Sequence, residues 1–310
     1  MTGGKPGGAT LAAFAGAVTI GGANFIAVRY SNRELEPFWG AGLRFSLAAL
    51  LFIGIAVALR LRRPRGRELA INVAYGALSF AVSYALMYWA LLRVTAGMAA
   101  VVLAIVPLAT LLLAAAQRVE VFRLRGVFGA VLALAGIMWM AVGPGGTEVP
   151  LAALSAMLLA ALAIAQSIIL GRRLAQNHPA MTNAVGMTAG ALMLLPLSLA
   201  TGEAWVVPQR ADARWAVLYL VTIGSVGLFV LVLLVVRRWT PSATSYTFVL
   251  FPVVTMLLEA WLLDEPVTAR AALGAALVMA GVWFGALSPA ARRAAGATAP
   301  SPTAAATLRD

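Results

Sequence analysis

Ten apolar segments of roughly 20 residues follow one another along this sequence, and most ionic residues lie in the short stretches between them. A helix of about 20 apolar residues is long enough to cross the hydrocarbon core of a bilayer. Only 11% of the residues are charged, whereas about a quarter are charged in ordinary soluble domains. The sequence therefore predicts an all-α integral membrane protein with ten transmembrane helices, at residues 11–29, 37–59, 69–92, 95–117, 124–142, 151–171, 180–200, 213–236, 242–263 and 269–287.

Positive charges are distributed unevenly between the two sides that alternate along such a chain. One side receives 16 Lys and Arg residues, including the five arginines at 60–67, and the other side receives six. Cytoplasmic loops of membrane proteins carry the excess of Lys and Arg. Both termini are therefore predicted to be cytoplasmic, in a bacterial-type inner membrane. The net charge of +12 is explained by this topology, so we expect no nucleic-acid partner.

Several residue types recur at a nearly fixed spacing in the two halves of the chain. A shift of 145 residues, or of 142 nearer the start of each half, places identical or similar residues on each other: Thr95 on Thr240, Pro107 on Pro252, Glu120 on Glu265, Gly129 on Gly274, Gly136 on Gly281, Pro37 on Pro179 and Asn24 on Gln166.

This pattern predicts two five-helix repeats, at 11–142 and 151–287, with flexible cytoplasmic tails at 1–10 and 288–310. Because five is odd, the second repeat enters the membrane from the opposite side. Inverted repeats are the architecture of many secondary transporters, whose halves exchange between two packings. The repeats therefore indicate transport by alternating access.

The chain also resembles a known family, the EamA-type transporters of the drug/metabolite transporter superfamily. The resemblance lies in Gly-Gly-Ala-Asn-Phe at 21–25, in PFWGAGLRF at 37–45 and in the doubled Thr, Pro, acid and Gly pattern. Within that family the chain looks most like the YddG-type exporters of aromatic amino acids and some drugs, although Gly-Gly stands where Trp-Gly often opens the first motif. The resemblance implies an exporter of neutral, and especially aromatic, amino acids.

Polar and aromatic side chains within the apolar segments are the candidate substrate contacts. The third segment carries tyrosines and serines at helical spacing, which suits a pocket that stacks a ring and hydrogen-bonds its polar groups. The alternative for these residues is ordinary helix packing, and for the amides Asn24 and Gln166 it is a polar tie between helices. The candidates are Asn24, Ser79, Ser83, Tyr84, Tyr88, Gln166 and Tyr246.

Two ionic residues lie inside predicted segments. Glu259 either contacts substrate or titrates during transport, because ionisable groups within membrane spans are commonly functional; the alternative is that its carboxylate reaches the interface. Arg44 is a candidate partner for Glu259, a backbone cap or a contact for an anionic group. Pro107 and Pro252, near the middle of equivalent segments, are predicted to form hinges at a central cavity, because each removes a backbone N–H.

The absence of some residue types and motifs limits the kinds of chemical site that the chain can form. The chain has no cysteine and one histidine, His178, and it lacks the Gly-rich phosphate-binding loop of ATP-driven proteins. We therefore expect no metal, no cofactor, no enzymatic activity and no obligate protein partner. Two alternatives to amino-acid export stay open: a permease for drugs or other metabolites and, more remotely, a polytopic membrane enzyme.

Overall fold

The computed structural model describes residues 8–118, 124–141, 149–174, 176–238 and 241–284, and within these ranges every regular element is a helix. The α-helices are α1 Gly8–Ser31, α2 Pro37–Ala58, α3 Gly66–Gly76, α4 Ser83–Ala90, α5 Ala96–Leu103, α6 Val106–Ala116, α7 Leu124–Ala141, α8 Leu151–Gly171, α9 Pro179–Ala200, α10 Ala211–Val221, α11 Leu228–Arg238, α12 Pro241–Leu262 and α13 Ala269–Val282.

These helices confirm the predicted all-α membrane fold. Among the described residues, seven helical stretches are long and apolar enough to span a membrane. Three shorter apolar helices, Leu124–Met140, Thr247–Leu262 and Ala269–Val282, coincide with the remaining predicted segments. Helix α1 begins at Gly8, so residues 8–10, which were predicted to belong to a flexible tail, are helical. The rest of both predicted tails lies outside the described residues.

Local sequence explains where several helices begin. Pro37 and Pro179, equivalent in the two repeats, stand in the first turn of α2 and α9, where a missing N–H costs nothing and the fixed φ favours a helix. The hydroxyls of Thr95 and Thr268 accept hydrogen bonds from the amides of Met98 and Ala271. These side chains cap α5 and α13 in the usual manner of threonine at a helix start.

Three of the ten segments are irregular. The third contains a π turn at Ala77–Val82 between α3 and α4, and the eighth contains one at Thr222–Gly227 between α10 and α11. The shift of 145 residues carries the first π turn onto the second. The fourth segment is interrupted at residues 104–105, between α5 and α6, whereas α12, its repeat equivalent, is continuous.

The helices pack in pairs that follow the repeat. Helix α2 packs on α9, and α7 packs on α13, so each of these pairs joins equivalent helices. The remaining contacts occur as equivalent sets: α1 with α12 matches α8 with α6, and α1 with α10 and α11 matches α8 with α3 and α4. The packing is therefore consistent with two inverted five-helix repeats related by a pseudo-two-fold axis.

Many large apolar side chains face outward, and small residues are common in the interior. Trp261 is 76% exposed and Leu50 is 63% exposed, as expected for side chains that meet lipid. The interior is rich in alanine, and the backbones of Gly76 and Gly186 cross so closely that a Cβ at Gly76 would overlap Gly186. Small residues at helix crossings permit such approach in membrane proteins.

The two ends of the bundle differ in charge. The end that carries loops 32–36, 91–95, 201–210 and 263–268 holds six acidic residues in or beside those loops, and we call it the acidic end. The opposite end carries loops 59–65, 117–118 and 172–178, and we call it the arginine-rich end after Arg60, Arg62, Arg63, Arg65 and Arg67.

Candidate substrate cavity

A cavity of about 380 Å³ lies between helices of both repeats. It is bounded by α1, by the third segment from α3 to α4, and by α5, α8, α11 and α12. Small-molecule sites commonly enclose about 300–1,000 Å³. The cavity therefore has room for one small molecule at the interface of the repeats.

Seven aromatic residues line the cavity. Tyr84 packs edge-on against Phe45, with centroids 4.7 Å apart, and Phe248 packs against Phe251 at 5.3 Å. Few polar groups interrupt the apolar surface, namely those of Asn24, Tyr75, Ser79, Ser83, Tyr84, Ser167 and Thr247. Such a surface can stack an aromatic ring and orient a few polar groups.

The cavity runs from the middle of the bundle toward the arginine-rich end. Ile168 and Val232 line it a few residues before α8 and α11 end there. On α1 and α4, which end at the acidic end, the lining residues stop at Phe25 and Met87. The polar contacts described below lie between Phe25 and the acidic end.

The predicted substrate residues fall into two groups. Asn24, Ser79, Ser83 and Tyr84 line the cavity. Asn24 donates from Nδ2 to the carbonyl of Gly224 at 3.1 Å, and Ser83 donates to the carbonyl of Ser79 at 2.7 Å. These four residues come together because α1 and the third segment both face the cavity.

The other predicted contacts lie away from the lining. Tyr88 is fully buried behind Tyr84, with the two ring centroids 6.3 Å apart. Gln166 accepts a hydrogen bond from Gln117 at 2.6 Å, so it ties α8 to the end of α6, which was the alternative role for this amide. Tyr246 belongs to α12, but its side chain lies outside the described residues.

Arg44 contacts a π turn and does not pair with Glu259. Its Nε donates to Ser225 Oγ and its Nη2 donates to the carbonyl of Gly224, both at 3.1 Å. A π turn shifts the backbone pairing to i→i+5, and Gly224 lies within such a turn. Of the three candidate roles, these hydrogen bonds match contact with the backbone, and Glu259 is held by other partners.

Glu259 is a buried carboxylate that joins three helices at the acidic end. Its Oε1 and Oε2 accept hydrogen bonds from the amides of Ala96 and Gly97, at 2.6 Å and 2.8 Å, at the start of α5. Arg29 at the end of α1 forms an ion pair with Glu259 at 3.3 Å and with Glu265 at 2.7 Å. A carboxylate is favoured at a helix N-terminus by the free amides and the helix dipole.

Further polar contacts join the loops of the acidic end. The Glu203 carboxylate accepts from the amides of Phe38 and Trp39, at 3.0 Å and 2.6 Å. Trp39 stacks on Trp205 with centroids 4.5 Å apart. Arg33 pairs with Asp212 at 3.1 Å. Together with Glu259 these contacts hold the acidic end closed.

The two prolines occupy different conformations. Pro107 stands in the first turn of α6, directly after the break at 104–105. Pro252 lies inside the uninterrupted α12, and the nearby Thr255 hydroxyl donates to the carbonyls of Gly22 and Phe251, each at 2.9 Å. The equivalent positions thus differ, because the helix is interrupted before Pro107 and continuous at Pro252.

Several cavity residues were not predicted, namely Phe25, Tyr75, Ser167, Phe229, Thr247, Phe248 and Phe251. One of them carried a usable signal, because the shift of 145 residues places Phe229 on Tyr84. Arg29 was likewise missed as the partner of Glu259, since it had been assigned to the outer loop.

Known proteins resemble this chain in sequence and in fold. The model of the EamA-like transporter family matches residues 8–142 and 151–286. The uncharacterized inner membrane transporter YedA of Escherichia coli strain K12 is 29% identical over 241 residues, which cover 77% of this chain and 78% of that protein. A probable terminal-alkyne amino-acid exporter of Streptantibioticus cattleyicolor is 29% identical over 255 residues, covering 80% and 84%.

A solved crystal structure with 22% identity superposes with a TM-score of 0.65 and covers 94% of this chain and 99% of that chain. At this identity the likeness concerns the fold alone. The family match extends over nearly all of the described helices and includes every element that bounds the cavity. This membrane protein therefore belongs to the EamA-like transporter family.

Proposed function

We propose that the protein exports neutral amino acids, with a preference for aromatic side chains, by alternating access. The observation that carries this proposal is the aromatic cavity of about 380 Å³ between the repeats, with its few polar groups. The amino-acid exporter of Streptantibioticus cattleyicolor, a relative at 29% identity, supports the substrate class. The preference for aromatic side chains rests on the rings of the cavity wall and on the resemblance to YddG-type exporters.

We further propose that the arginine-rich end faces the cytoplasm of a bacterial-type inner membrane, with both termini on that side. The excess of arginine there agrees with the distribution found in cytoplasmic loops. In this orientation the structure is the inward-facing state, because the cavity extends toward the cytoplasm and the opposite end is closed.

Two modes of coupling are consistent with Glu259. Proton antiport would require protonation of Glu259 to release the amides of α5, whereas facilitated efflux requires no change of charge. The two modes predict different behaviour of the Glu259→Gln protein. If transport by the parent depends on pH and the variant keeps that dependence, antiport through Glu259 is excluded.

A permease for drugs or other metabolites is the second candidate, because apolar residues predominate in the cavity wall. A wall of this kind also accepts flat cations whose surface is otherwise apolar. Membership of a transporter family favours either transporter over the remote alternative of a membrane enzyme.

Efflux from liposomes tests the proposed substrate class. Purified protein in liposomes loaded with labelled phenylalanine or labelled threonine should release phenylalanine faster than empty vesicles do, and faster than it releases threonine. Equal release of both would contradict the aromatic preference. Release of neither, with release of a cationic drug, would favour the second candidate.

Tyr84→Ala tests the cavity in the same assay. Loss of this ring should reduce phenylalanine efflux at least about tenfold, since a buried aromatic contact contributes about 1.5–3 kcal/mol. Phe128→Ala is the matched control, because Phe128 is 67% exposed on the outer face of α7, and it should keep the parent rate. Full activity of a correctly inserted Tyr84→Ala protein would remove Tyr84 from the site.

A further inference from the structure

Arg44 is the least exposed ionic side chain among the described residues, at 2%. No carboxylate of the described residues pairs with it, in contrast to Arg29, Arg33, Arg62 and Arg210, which all form ion pairs. Burying a charge without a counter-charge is costly. Two rings partly compensate this charge, since the guanidinium carbon lies 5.2 Å from the Phe45 centroid and 5.1 Å from that of Tyr84.

Beyond the hydrogen bonds above, three buried polar atoms around Arg44 make no close hydrogen bond with the described residues, and the Tyr88 hydroxyl faces the Arg44 guanidinium. They are Arg44 Nη1, Tyr88 Oη and Asn24 Oδ1. The first is a donor, the second can donate or accept, and the third is an acceptor. Buried polar groups are normally hydrogen-bonded, so a set of three at one place indicates a ligand with both kinds of group.

This set lies directly behind the cavity wall. Asn24 and Tyr84 line the cavity. Asn24 Nδ2 and Arg44 Nη2 donate to the same carbonyl, that of Gly224, each at 3.1 Å. Arg44 itself does not line the cavity. The half-buried Tyr84 ring stands between the guanidinium and the cavity, so the proposal below requires this ring to rotate when a ligand binds.

We propose that Arg44 and Tyr88 bind the carboxylate of a zwitterionic α-amino acid and that Asn24 Oδ1 accepts a hydrogen bond from its ammonium group. The proposal rests on the proposed function and names the head group that the cavity selects. The planar guanidinium suits a carboxylate, which it binds through two parallel hydrogen bonds. The aromatic wall then holds the side chain of the same amino acid.

The site also relates substrate binding to the backbone of the eighth segment. Nη2 carries two hydrogens, so it can donate to a carboxylate and keep its hydrogen bond to the carbonyl of Gly224. Binding therefore places the carboxylate on one of the two side chains that donate to this π turn at Gly224. The other donor, Asn24, is itself a proposed ligand of the ammonium group.

Three related compounds test the head-group site in liposomes: phenylalanine, phenethylamine, which lacks the carboxylate, and 3-phenylpropionate, which lacks the ammonium group. The parent should transport phenylalanine, and the two analogues should compete with it at least about tenfold less well, because each leaves buried groups unpaired. Arg44→Gln should raise the half-saturating concentration of phenylalanine by at least about tenfold.

Tyr88→Phe is a second variant, which removes one hydroxyl and keeps the buried ring. It should raise the half-saturating concentration several-fold and leave competition by phenethylamine unchanged. Arg93→Gln is the matched control, because Arg93 is exposed and lies over Trp89 with its guanidinium carbon 3.9 Å from the ring centroid. It should behave as the parent does.

The outcomes separate this proposal from the proposed function. Transport of phenylalanine with an unchanged half-saturating concentration in Tyr88→Phe, or in an inserted Arg44→Gln protein, overturns the head-group site alone. If phenethylamine competes with labelled phenylalanine as well as unlabelled phenylalanine does, the head-group site alone is likewise overturned. Failure of the parent to transport any amino acid overturns both proposals.

Discussion

Glu259 is stable within an apolar helix because its carboxylate accepts two backbone hydrogen bonds and lies beside Arg29. The sequence alone indicated that this charge required an explanation, since it stands among leucines and a tryptophan. It did not indicate the partners, because the amides of Ala96 and Gly97 are backbone groups and carry no sequence signature. The same limit applied to Arg44, which is bound largely by a carbonyl and a hydroxyl.

Replacement of Glu259 by glutamine should destabilise the protein. The neutral amide loses the ion pair and weakens the contacts with α5, which together cost about 2–4 kcal/mol. Thermal unfolding in detergent should therefore show a lower Tm than the parent. Amide hydrogen exchange at residues 96 and 97 should accelerate.

Glu265→Gln is the control for this prediction. Its side chain is 36% exposed and pairs with the same arginine, so its loss should cost under about 1 kcal/mol. Equal destabilisation by the two substitutions would show that the ion pair with Arg29, and not the capping of α5, is the stabilising contact.

At the scale of the helices, the sequence predicted ten segments and their order because hydropathy and length are strong signals. It did not predict the π turns at Ala77–Val82 and Thr222–Gly227. A π turn changes the backbone pairing by one residue and leaves the hydropathy of the segment unaltered. The break at 104–105 was anticipated more closely, since Pro107 follows it.

Two glycines of the second π turn allow a test of its contact with Asn24. A Cβ at Gly224 would overlap Asn24 Oδ1 and lie 3.3 Å from the Tyr219 carbonyl, whereas a Cβ at Gly227 would make only ordinary contacts with Thr222 and Ile223, at 3.8 Å and 3.9 Å. Gly224→Ala should therefore displace Asn24, reduce phenylalanine efflux and destabilise the protein by about 1–3 kcal/mol relative to Gly227→Ala.

Both substitutions gain a similar helix propensity, so their difference reports the contacts of Gly224 with Asn24 and the Tyr219 carbonyl. Efflux rates and unfolding midpoints of the two proteins should be measured side by side. Indistinguishable behaviour would exclude a role for the Asn24 and Gly224 contact.

At the scale of the whole molecule, the closed acidic end and the cavity near the arginine-rich end make a prediction about access. The chain contains no cysteine, so single cysteines report accessibility directly. Ser79→Cys, in the cavity, should react with a membrane-impermeant maleimide added at the arginine-rich side and remain unmodified when the reagent is added at the other side.

Two exposed positions calibrate this experiment. Arg63→Cys should react from the arginine-rich side and Glu36→Cys from the acidic side, because both residues are exposed in their loops. Inside-out and right-side-out vesicles supply the two directions. Modification of Ser79→Cys from the acidic side alone would reverse the assignment of the closed end.

The pairing of helices across the repeats has a consequence for biosynthesis. Helices α2 and α7 pack on α9 and α13, and α1 packs on α12, so the main partners of the first half are made after it. While the ribosome is still translating, the five membrane segments of the first half, α1–α7, expose faces whose partner helices have not yet been inserted into the bilayer. Assembly must therefore wait for the last helices, and a chain truncated after residue 142 should be recognised by membrane proteases as an orphan.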